Sequence, residues 1–416
     1  EIEKGLREGK ILGVVSTNAL ELGIDIGNLD ASIIMGYPGT VASTWQQAGR
    51  AGRRNSVSAS ILVASSSPLD QFIINHPEYF FEASPEHGLI NPNNLYILVN
   101  HIKCAAFELP FTDGETFGGE PIHEILAFLE EEGILRHVGG RWHWMAESFP
   151  AEDISLRSAS AENFVVIDIT EGAKVIGEVD RSSAPMLIHE EAIYLHAGQQ
   201  YQVEKLDYEE KKAYVRKVNV DYYTDANLAV EIKVLDVFRE KAVANSQNYL
   251  GEVMVTSLAT MFKKIKFFTH ENLGFGPIHL PPEEMHTTAY WMAFPDNIAG
   301  LSMEEIKSGL LGLCNVMVNI APLYLMCDPK DIRGVVQIKS PFTQLPTIYI
   351  YDNFPGGVGF AERLYEMEEQ LLKAARQVIL ECGCEDGCPS CVGPYEEVGH
   401  RSKEFALKII KGVLSD

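Results

Sequence analysis

Residues 46–54 read QQAGRAGRR, and residues 16–27, which start 30 positions earlier, read STNALELGIDIG. In the first stretch Arg50 and Arg53 each follow a glycine, and we predict that they lie on the first turn of a helix. A nucleotide triphosphatase whose site lies between two domains needs guanidinium groups directed at the γ-phosphate, because negative charge spreads over the phosphoryl oxygens in the transition state. Gln46, one helical turn earlier, is placed to hold the attacking water. The pattern therefore predicts catalytic roles for Gln46, Arg50 and Arg53.

Short apolar runs surround these motifs. Residues 11–15 (ILGVV) suit a strand buried on both faces of a parallel sheet, residues 29–38 repeat that pattern, and residues 58–66 form a third run. Strands that alternate with helices predict an α/β unit over residues 1–82.

The order of the two motifs resembles motifs V and VI of superfamily 2 nucleic-acid helicases, which belong to the second RecA-like domain. The resemblance implies that Ser16 and Thr17 touch the nucleic-acid backbone and that Gly23 and Asp25 lie near the nucleotide. Many relatives carry arginine where Gln47 stands, and no role follows for this position. The alternative is an arginine-rich surface loop that forms salt bridges, although solvated charges do not require glycines at fixed spacing.

ATP hydrolysis also requires a phosphate-binding GxxxxGK[ST] loop and an acidic magnesium-binding box, and none of the 416 residues supplies either. The resemblance implies that a first RecA-like domain precedes these residues and that the full protein binds ATP and Mg²⁺. We expect this chain alone to hydrolyse no ATP.

Composition indicates a globular protein. A chain of 416 residues with 46% hydrophobic content can form two to four domains. We find no run of about 18 apolar residues and no charged-then-apolar leader, so the sequence predicts a cytoplasmic protein without a membrane partner. The net charge of −24 opposes indiscriminate phosphate binding, so nucleic-acid contacts must be local. Candidate patches are residues 211–217 (KKAYVRK) and 262–268 (FKKIKFF), with a strand bearing a solvated lysine face as the alternative.

Residues 91–150 have the pattern of a winged helix. The segment PIHEILAFLEEEGIL, residues 121–135, predicts an amphipathic helix, and a Gly139-Gly140 turn joins two short alternating strands. Winged helices bind duplex DNA or proteins, so Arg141 and Trp142 in the hairpin are candidate DNA contacts. In the alternative, Trp142 faces the core.

The remainder of the chain divides into two predicted units. Period-two segments predict a small β-barrel over residues 160–240, and an α+β domain follows over residues 242–416. In the latter, Ser302-x-x-Glu305 is a capping box that opens a buried helix, and residues 360–381 suit one amphipathic helix. Residues 356–359 (GGVG) weakly suggest a dinucleotide site, but a tight turn explains them better because the full GxGxxG is missing.

Four cysteines with the spacing C-x-C-x₃-C-x₂-C form a candidate metal site. Short loops with four thiolates are typical of structural zinc, and an iron–sulfur cluster is the alternative. Disulfides fit poorly, because cysteines one residue apart rarely reach bonding geometry. The ligands are Cys382, Cys384, Cys388 and Cys391, whereas Cys104, Cys314 and Cys327 lie in apolar surroundings and are predicted core residues.

The partial motor, the winged helix and the stretch IYIYDNFPGGVGFAERLYE at residues 348–366, followed by the cysteines, together resemble the mitomycin repair factor A type of bacterial DNA helicase. This family is related to a fungal RecQ-four-like helicase. The resemblance implies a multidomain α/β and α+β protein with a partial RecA-like domain, a winged helix, a small β-barrel and an α+β zinc-binding C-terminal domain.

For activity, the resemblance implies an ATP-dependent 3′ to 5′ DNA helicase that acts in DNA repair and loads on single-stranded DNA. Its expected partners are single-stranded and partial-duplex DNA and a possible repair nuclease. Two alternatives remain open: a DNA-binding or scaffold protein with a degenerate motor, and an RNA helicase, because motifs V and VI do not distinguish the two sugars.

Overall fold

Four successive modules build the chain, and the computed structural model describes residues 1–21, 29–52, 57–82, 84–86, 91, 93–154 and 163–414. The first module is α/β, as predicted. Its strands β1 and β2 pair in parallel, with Ile33 opposite Ile61. In chain order its elements are α1 (Ile2–Arg7), a 3₁₀ turn (Asn18–Leu20), β1 (Ala31–Met35), α2 (Val41–Ala48), β2 (Ala59–Val63), α3 (Pro68–Asn75) and α4 (Pro77–Glu82).

The predicted strand at residues 11–15 is not formed. This segment has no regular structure, Leu12 is 95% exposed, and Val15 is fully exposed. A parallel strand needs hydrogen-bonded neighbours and cover on both faces. Within the described residues of this module, however, the sheet consists of β1 and β2 alone. The apolar run is therefore present without the packing that would bury it.

The second module is a winged helix, as the sequence predicted. Its three-stranded sheet has the order β3-β7-β6. Gly139 and Gly140 both have positive φ angles, 61° and 78°, as a tight two-residue hairpin turn requires. The elements are α5 (Leu95–Glu108), β3 (Phe111–Thr112), β4 (Thr116–Phe117), β5 (Glu120–Pro121), α6 (His123–Glu131), β6 (Leu135–Val138), β7 (Arg141–Trp144) and a 3₁₀ turn (Pro150–Asp153).

The third module is a five-stranded sheet with the order β10-β11-β12-β8-β9. Within these described strands, β9 and β10 do not pair, but a Cβ atom on Gly177 in β9 would lie 3.3 Å from the hydroxyl of Tyr194 and from the ring of His196 in β10. The predicted barrel is thus nearly closed without a hydrogen-bonded seam. Its elements are β8 (Asn163–Asp168), β9 (Lys174–Asp180), α7 (Ala184–Leu187), β10 (Ile193–His196), β11 (Gln199–Asp207) and β12 (Lys212–Val218).

The fourth module starts about 20 residues earlier than predicted. The barrel ends with β12, and β13 already belongs to an antiparallel sheet with the order β13-β14-β16-β18-β17, on which β15 pairs with β14. Because both modules have period-two strands, the alternation alone did not mark this boundary. The strands are β13 (Tyr222–Val243), β14 (Ser246–Lys266), β15 (Asn272–Pro277), β16 (Glu283–Ala293), β17 (Ile332–Gln337) and β18 (Thr347–Asp352).

Helices cover one face of this sheet and form the largest core with it. One predicted helix is divided in two, because Met367 leaves the helical conformation with φ −111° and ψ 17°. The elements are a 3₁₀ turn (Ile298–Gly300), α8 (Met303–Leu325), α9 (Phe360–Glu366), α10 (Glu368–Glu381), α11 (Tyr395–Val398) and α12 (Ser402–Val413).

Helix α8 is the central helix of the fourth module. The predicted capping box is confirmed, because the backbone N–H of Ser302 donates to Glu305 at 2.8 Å and the N–H of Glu305 donates to the Ser302 hydroxyl at 3.4 Å. Contrary to the sequence analysis, α8 is long and apolar enough to cross a membrane by length and composition alone. However, 67% of its most apolar 18-residue window is buried inside the protein, as in the core helix of a globular domain.

The first and fourth modules share a core. Leu69 and Ile73 on α3 are buried in the cluster that contains α8. The hydroxyl of Tyr79 on α4 donates to the carbonyl of Leu323 on α8 at 2.9 Å. The loop before α2 also touches the fourth module, since a Cβ atom on Gly39 would lie 2.7 Å from Pro329.

Candidate zinc centre and motor motifs

The four clustered cysteines converge in the loop between α10 and α11. Cys382 directly follows the last residue of α10, and the chain then turns back so that Cys388 and Cys391 face the C-x-C pair. Their sulfur atoms lie 3.5 Å apart for Cys382–Cys384 and Cys382–Cys388, 3.6 Å for Cys384–Cys391 and 3.9 Å for Cys388–Cys391. All four lie within 4.8 Å of one another.

These distances fit one zinc ion. Four sulfurs at the usual Zn–S distance of about 2.3 Å occupy the corners of a tetrahedron with edges of about 3.8 Å. A disulfide would require S–S contact at about 2.05 Å. An iron–sulfur cluster places several iron and sulfide atoms between its thiolates, which leaves too little room in a cage of this size. The geometry therefore favours zinc over the alternative that the sequence left open.

The electrostatics of the cluster also call for a cation. The side chain of Cys391 is buried, and burial together with the neighbouring cysteine thiols raises its pKa above the ordinary range. Four thiolates cannot share this space unless a positive charge lies among them. A divalent ion supplies that charge and, when bound, ties the end of α10 to the loop before α11.

The other cysteines differ in environment. Cys314 and Cys327 are buried in the α8 core, where burial raises the pKa of Cys314 to about 12 and that of Cys327 above its usual range. Cys104 on α5 is partly buried. Cys314 and Cys327 are core thiols, as predicted.

The motor motifs lie at the end of α2. Gln46 is exposed on this helix. We predicted that Arg50 lies on the first turn of a helix, and this prediction is wrong. Arg50 instead follows the end of α2, because Gly49 caps the helix after Ala48. The Arg50 guanidinium donates to the carbonyl of Glu21. The backbone N–H of Gly52, whose φ of 81° favours glycine, donates to the carbonyl of Leu29 at 3.0 Å.

Motifs V and VI are therefore in contact. Glu21, at the described end of motif V, also accepts a hydrogen bond at 3.0 Å from the side-chain amide of Gln47, a position for which no role was predicted. Gly23, Asp25 and Arg53 lie outside the described residues.

The proposed backbone contacts of motif V are exposed. Ser16 and Thr17 lie in the extended segment before the 3₁₀ turn. The Ser16 hydroxyl donates to the carbonyl of Thr17 at 2.7 Å, and the Thr17 hydroxyl accepts weakly from the N–H of Ala19 at 3.4 Å. Both side chains are open to a ligand from solvent.

Glu86 holds the other end of α2, a contact that sequence reasoning missed. Its carboxylate accepts hydrogen bonds from the backbone N–H groups of Val41 and, at 2.9 Å, Ala42. A carboxylate at a helix N-terminus satisfies free N–H groups and complements the helix dipole. No local motif announces this cap, because Glu86 lies 45 positions after Val41.

In the winged helix the two residues predicted to contact DNA differ in their exposure to solvent. Arg141 is exposed on β7. Trp142 is only 3% exposed, and its indole N–H donates to Asp113 at 3.0 Å. The structure thus corrects the expectation that Trp142 touches DNA: its ring packs between α5, α6 and the hairpin as part of the module's core.

Ion pairs within the protein offset both predicted basic patches. In the first patch Lys212 and Arg216 pair with Glu210 and Glu204 at 3.1 and 2.6 Å. In the second, Lys264 pairs with Glu191 at 3.2 Å, and Phe262 is buried. These contacts favour the alternative of a solvated strand face.

The GGVG segment is a turn whose free backbone N–H groups are bound by a carboxylate of the same chain. The buried carboxylate of Asp352 accepts hydrogen bonds from four successive backbone N–H groups at 2.7, 2.9, 3.1 and 2.8 Å; the donors are Val358, Gly359, Phe360 and Ala361. Such N–H groups are the ones that bind phosphate in dinucleotide sites. Asp352 occupies that position, so the turn has no place for a phosphate.

Three family models match the chain. "Helicase conserved C-terminal domain" matches residues 1–55, "ATP-dependent helicase HRQ1, winged helix domain" matches residues 90–159, and "MrfA Zn-binding domain" matches residues 313–392. Each match falls on a module, or part of a module, described above.

Individual proteins match over nearly the whole chain. The uncharacterized ATP-dependent helicase YprA of Bacillus subtilis is 55% identical over 412 residues, which cover 99% of this chain and 55% of YprA. The ATP-dependent helicase HRQ1 of Saccharomyces cerevisiae is 29% identical over 94% of this chain and 38% of its own length.

The crystal structure of the DUF1998 helicase MrfA bound to DNA superposes with a TM-score of 0.68 and 54% identity, over 99% of this chain and 55% of MrfA. The chain spans about half the length of YprA and MrfA. In its sequence, its modules and its cysteine cluster, this chain is similar to the MrfA-type ATP-dependent helicases over about half of their length.

Proposed function

We propose that the protein works as an ATP-dependent DNA helicase that translocates 3′ to 5′, loads on single-stranded DNA and acts in DNA repair. The observation that carries this proposal is the match over 99% of the chain to MrfA, whose structures include one bound to DNA and one bound to DNA and AMPPNP. AMPPNP is an ATP analogue. The chain contributes one face of the ATP site and part of the DNA path.

In this proposal Arg50 and Arg53 stabilise charge on the γ-phosphate, and Gln46 orients the attacking water. Gly23 and Asp25 contact the nucleotide. The phosphate-binding loop and the Mg²⁺-binding carboxylates come from a longer protein, so this chain alone should not hydrolyse ATP. The contact between Arg50 and Glu21 supports a link between the ATP face and motif V.

Translocation follows from closure and release of two RecA-like domains. ATP draws the domains together, and hydrolysis lets them part while Ser16 and Thr17 grip the DNA backbone again. Arg141, exposed at the hairpin of the winged helix, is placed to contact duplex DNA ahead of the motor.

The test is strand displacement by the longer protein on partial duplexes with a 3′ or a 5′ single-stranded tail. We expect ATP-dependent unwinding of the 3′-tailed DNA and no ATP turnover by the present chain alone. Unwinding from the 5′ tail would overturn the polarity. Preference for an RNA duplex would support the alternative of an RNA helicase.

A second experiment tests the arginines. Arg50→Ala and Arg53→Ala in the longer protein should each lower ATP turnover by orders of magnitude and leave DNA affinity intact. Arg7→Ala is the control, because Arg7 is half-exposed on α1 and pairs only loosely with Glu3 at 3.8 Å. Turnover that is unchanged in both variants would remove the arginines from catalysis and favour a DNA-binding scaffold with a degenerate motor.

The cellular setting belongs to the same proposal. We place the protein in the cytoplasm, where it would meet damaged DNA and a repair nuclease. Co-purification of the longer protein with a nuclease after DNA damage would support that partner.

A further inference from the structure

Lys403 on the first turn of α12 contacts the cysteine loop through its side chain. Its ammonium donates to the carbonyl of Cys382 at 2.6 Å and to the carbonyl of Cys384 at 2.7 Å, and it lies 3.8 Å from the sulfur of Cys384. An ammonium group has three N–H donors, so these three contacts use all of them. The backbone N–H of Lys403 also donates to the carbonyl of Asp386 at 3.2 Å.

Apart from these contacts, the first turn of α12 is an electrostatically unfavourable position for a lysine. A cation in the first turn of a helix lies at the positive end of the helix dipole. The next residue, Glu404, is acidic, as this position prefers, and it pairs with Arg401 and Lys408 rather than with Lys403. A half-buried lysine at this place therefore needs a negative partner, and the cysteine site is the one that its ammonium approaches.

The charge of the metal site supplies that partner. One zinc ion and four thiolates together carry two negative charges, which a partly buried site must offset. Hydrogen bonds around a metal site also fix its ligands in place. Within the described residues, Lys403 is the charged side chain that contacts the four cysteines.

We propose that Lys403 is a positioning residue of the zinc centre, which holds the turn from Cys382 to Cys384 in its ligating conformation and offsets the negative charge of the four-thiolate site. It thereby ties zinc retention to the docking of α12. The inference concerns metal binding and does not depend on helicase activity.

The test measures zinc affinity and zinc loss in the purified chain. Four variants are compared with the unaltered chain: Lys403→Met removes charge and donors, Lys403→Gln keeps donors without charge, Lys403→Arg keeps both, and Lys408→Met is the control. Lys408 lies on the same helix and is exposed, and among the described residues its ion pair is with Glu404 at 2.8 Å. Zinc content is measured by plasma emission, and zinc transfer to a colorimetric chelator gives the affinity and the release rate.

We expect Lys403→Met and Lys403→Gln to bind zinc about 10–100-fold more weakly and to release it faster, which is the usual effect of losing a hydrogen-bonding partner of a metal ligand. Lys403→Arg should retain most of the affinity, and Lys408→Met should match the unaltered chain. Equal release from Lys403→Met and Lys408→Met would overturn the proposal, and full retention in Lys403→Gln would overturn the role of charge.

Cobalt substitution provides a readout that is separate from folding. Co²⁺ bound to four thiolates gives absorption bands that report ligand geometry, so a misplaced Cys384 changes the spectrum even when metal is bound. If Lys403→Met does not fold, the Gln and Arg variants give the same comparison. Iron in place of zinc in the unaltered chain would contradict the zinc assignment itself, an outcome distinct from a failure of the Lys403 proposal.

Discussion

Replacing Asp352 by alanine should loosen the turn between β18 and α9. The Asp352 side chain is fully buried and accepts four backbone hydrogen bonds, two of them in a buried setting, from Phe360 and Ala361. Alanine leaves these N–H groups without an acceptor. The other two donors, on Val358 and Gly359, are partly exposed, so water can replace part of what they lose.

The magnitude follows from this count. An unsatisfied buried donor costs about 1–3 kcal/mol, so the two buried N–H groups together cost about 2–6 kcal/mol. Burial raises the pKa of Asp352, and the four hydrogen bonds oppose that effect, so part of their contribution offsets the cost of burying charge. Asp352→Asn keeps one acceptor oxygen without the charge, and we expect it to lose less than the alanine variant.

Hydrogen exchange measured by mass spectrometry is the suitable assay, because a chain of four modules does not unfold in one step. A local loss of about 2–6 kcal/mol should speed exchange of the amides at residues 358–361 by about 30-fold to 20,000-fold, since each 1.4 kcal/mol is a factor of ten. Asp296→Ala, on an exposed loop, is the control and should change nothing beyond about 0.5 kcal/mol. Unchanged exchange in Asp352→Ala would refute the assignment of Asp352 as the acceptor that holds this turn.

Three further outcomes follow. Removing zinc with a chelator should increase hydrogen exchange at residues 382–403 and lower the midpoint of thermal unfolding followed by circular dichroism. Trp142→Ala should destabilise the winged helix by about 3–5 kcal/mol, measured by urea unfolding with hydrogen exchange as the probe. Arg141→Ala should reduce the affinity for duplex DNA, measured by fluorescence anisotropy, without this loss of stability. Burial lowers the pKa of His189 below its ordinary 6.5, so the unfolded chain takes up a proton first and stability should fall as pH drops below about 6.5. His189→Asn should remove that part of the pH dependence of thermal unfolding.

Local signals predicted the features that depend on near neighbours in sequence. Ser302 and Glu305 form the capping box, Gly139 and Gly140 form the hairpin turn, and the short-loop cysteines converge on one point. In each case the partners are at most nine residues apart, so spacing alone limits the geometry. The same holds for the apolar pattern of α8.

Features that depend on distant partners were not predictable. The apolar run at residues 11–15 suits a buried strand, but burial depends on neighbouring strands and not on the run itself. Alternation places Trp142 and Trp144 on one face of β7, but only the packing of α5 and α6 decides that this face is inside. Likewise Glu86 and Asp352 are ordinary acidic residues until the fold brings backbone donors to them.

The contacts of α3 and α4 with α8 cost more free energy to break than the polar contacts at the C-terminal end of α2. Moving α3 and α4 away from α8 would expose Leu69 and Ile73 on α3, at about 1.5–3 kcal/mol for each side chain, and would break the hydrogen bond from Tyr79 on α4 to Leu323. The far end of α2 meets motif V through polar groups on a half-buried surface, where Arg50 bonds to Glu21. Polar contacts of this kind exchange with water at a small net cost, about 0.5–1.5 kcal/mol for each hydrogen bond. The motor motifs can therefore rearrange at the end of α2, where Gln46 and Arg50 lie. During this movement α3 and α4 stay packed against the fourth module, which contains the cysteine site.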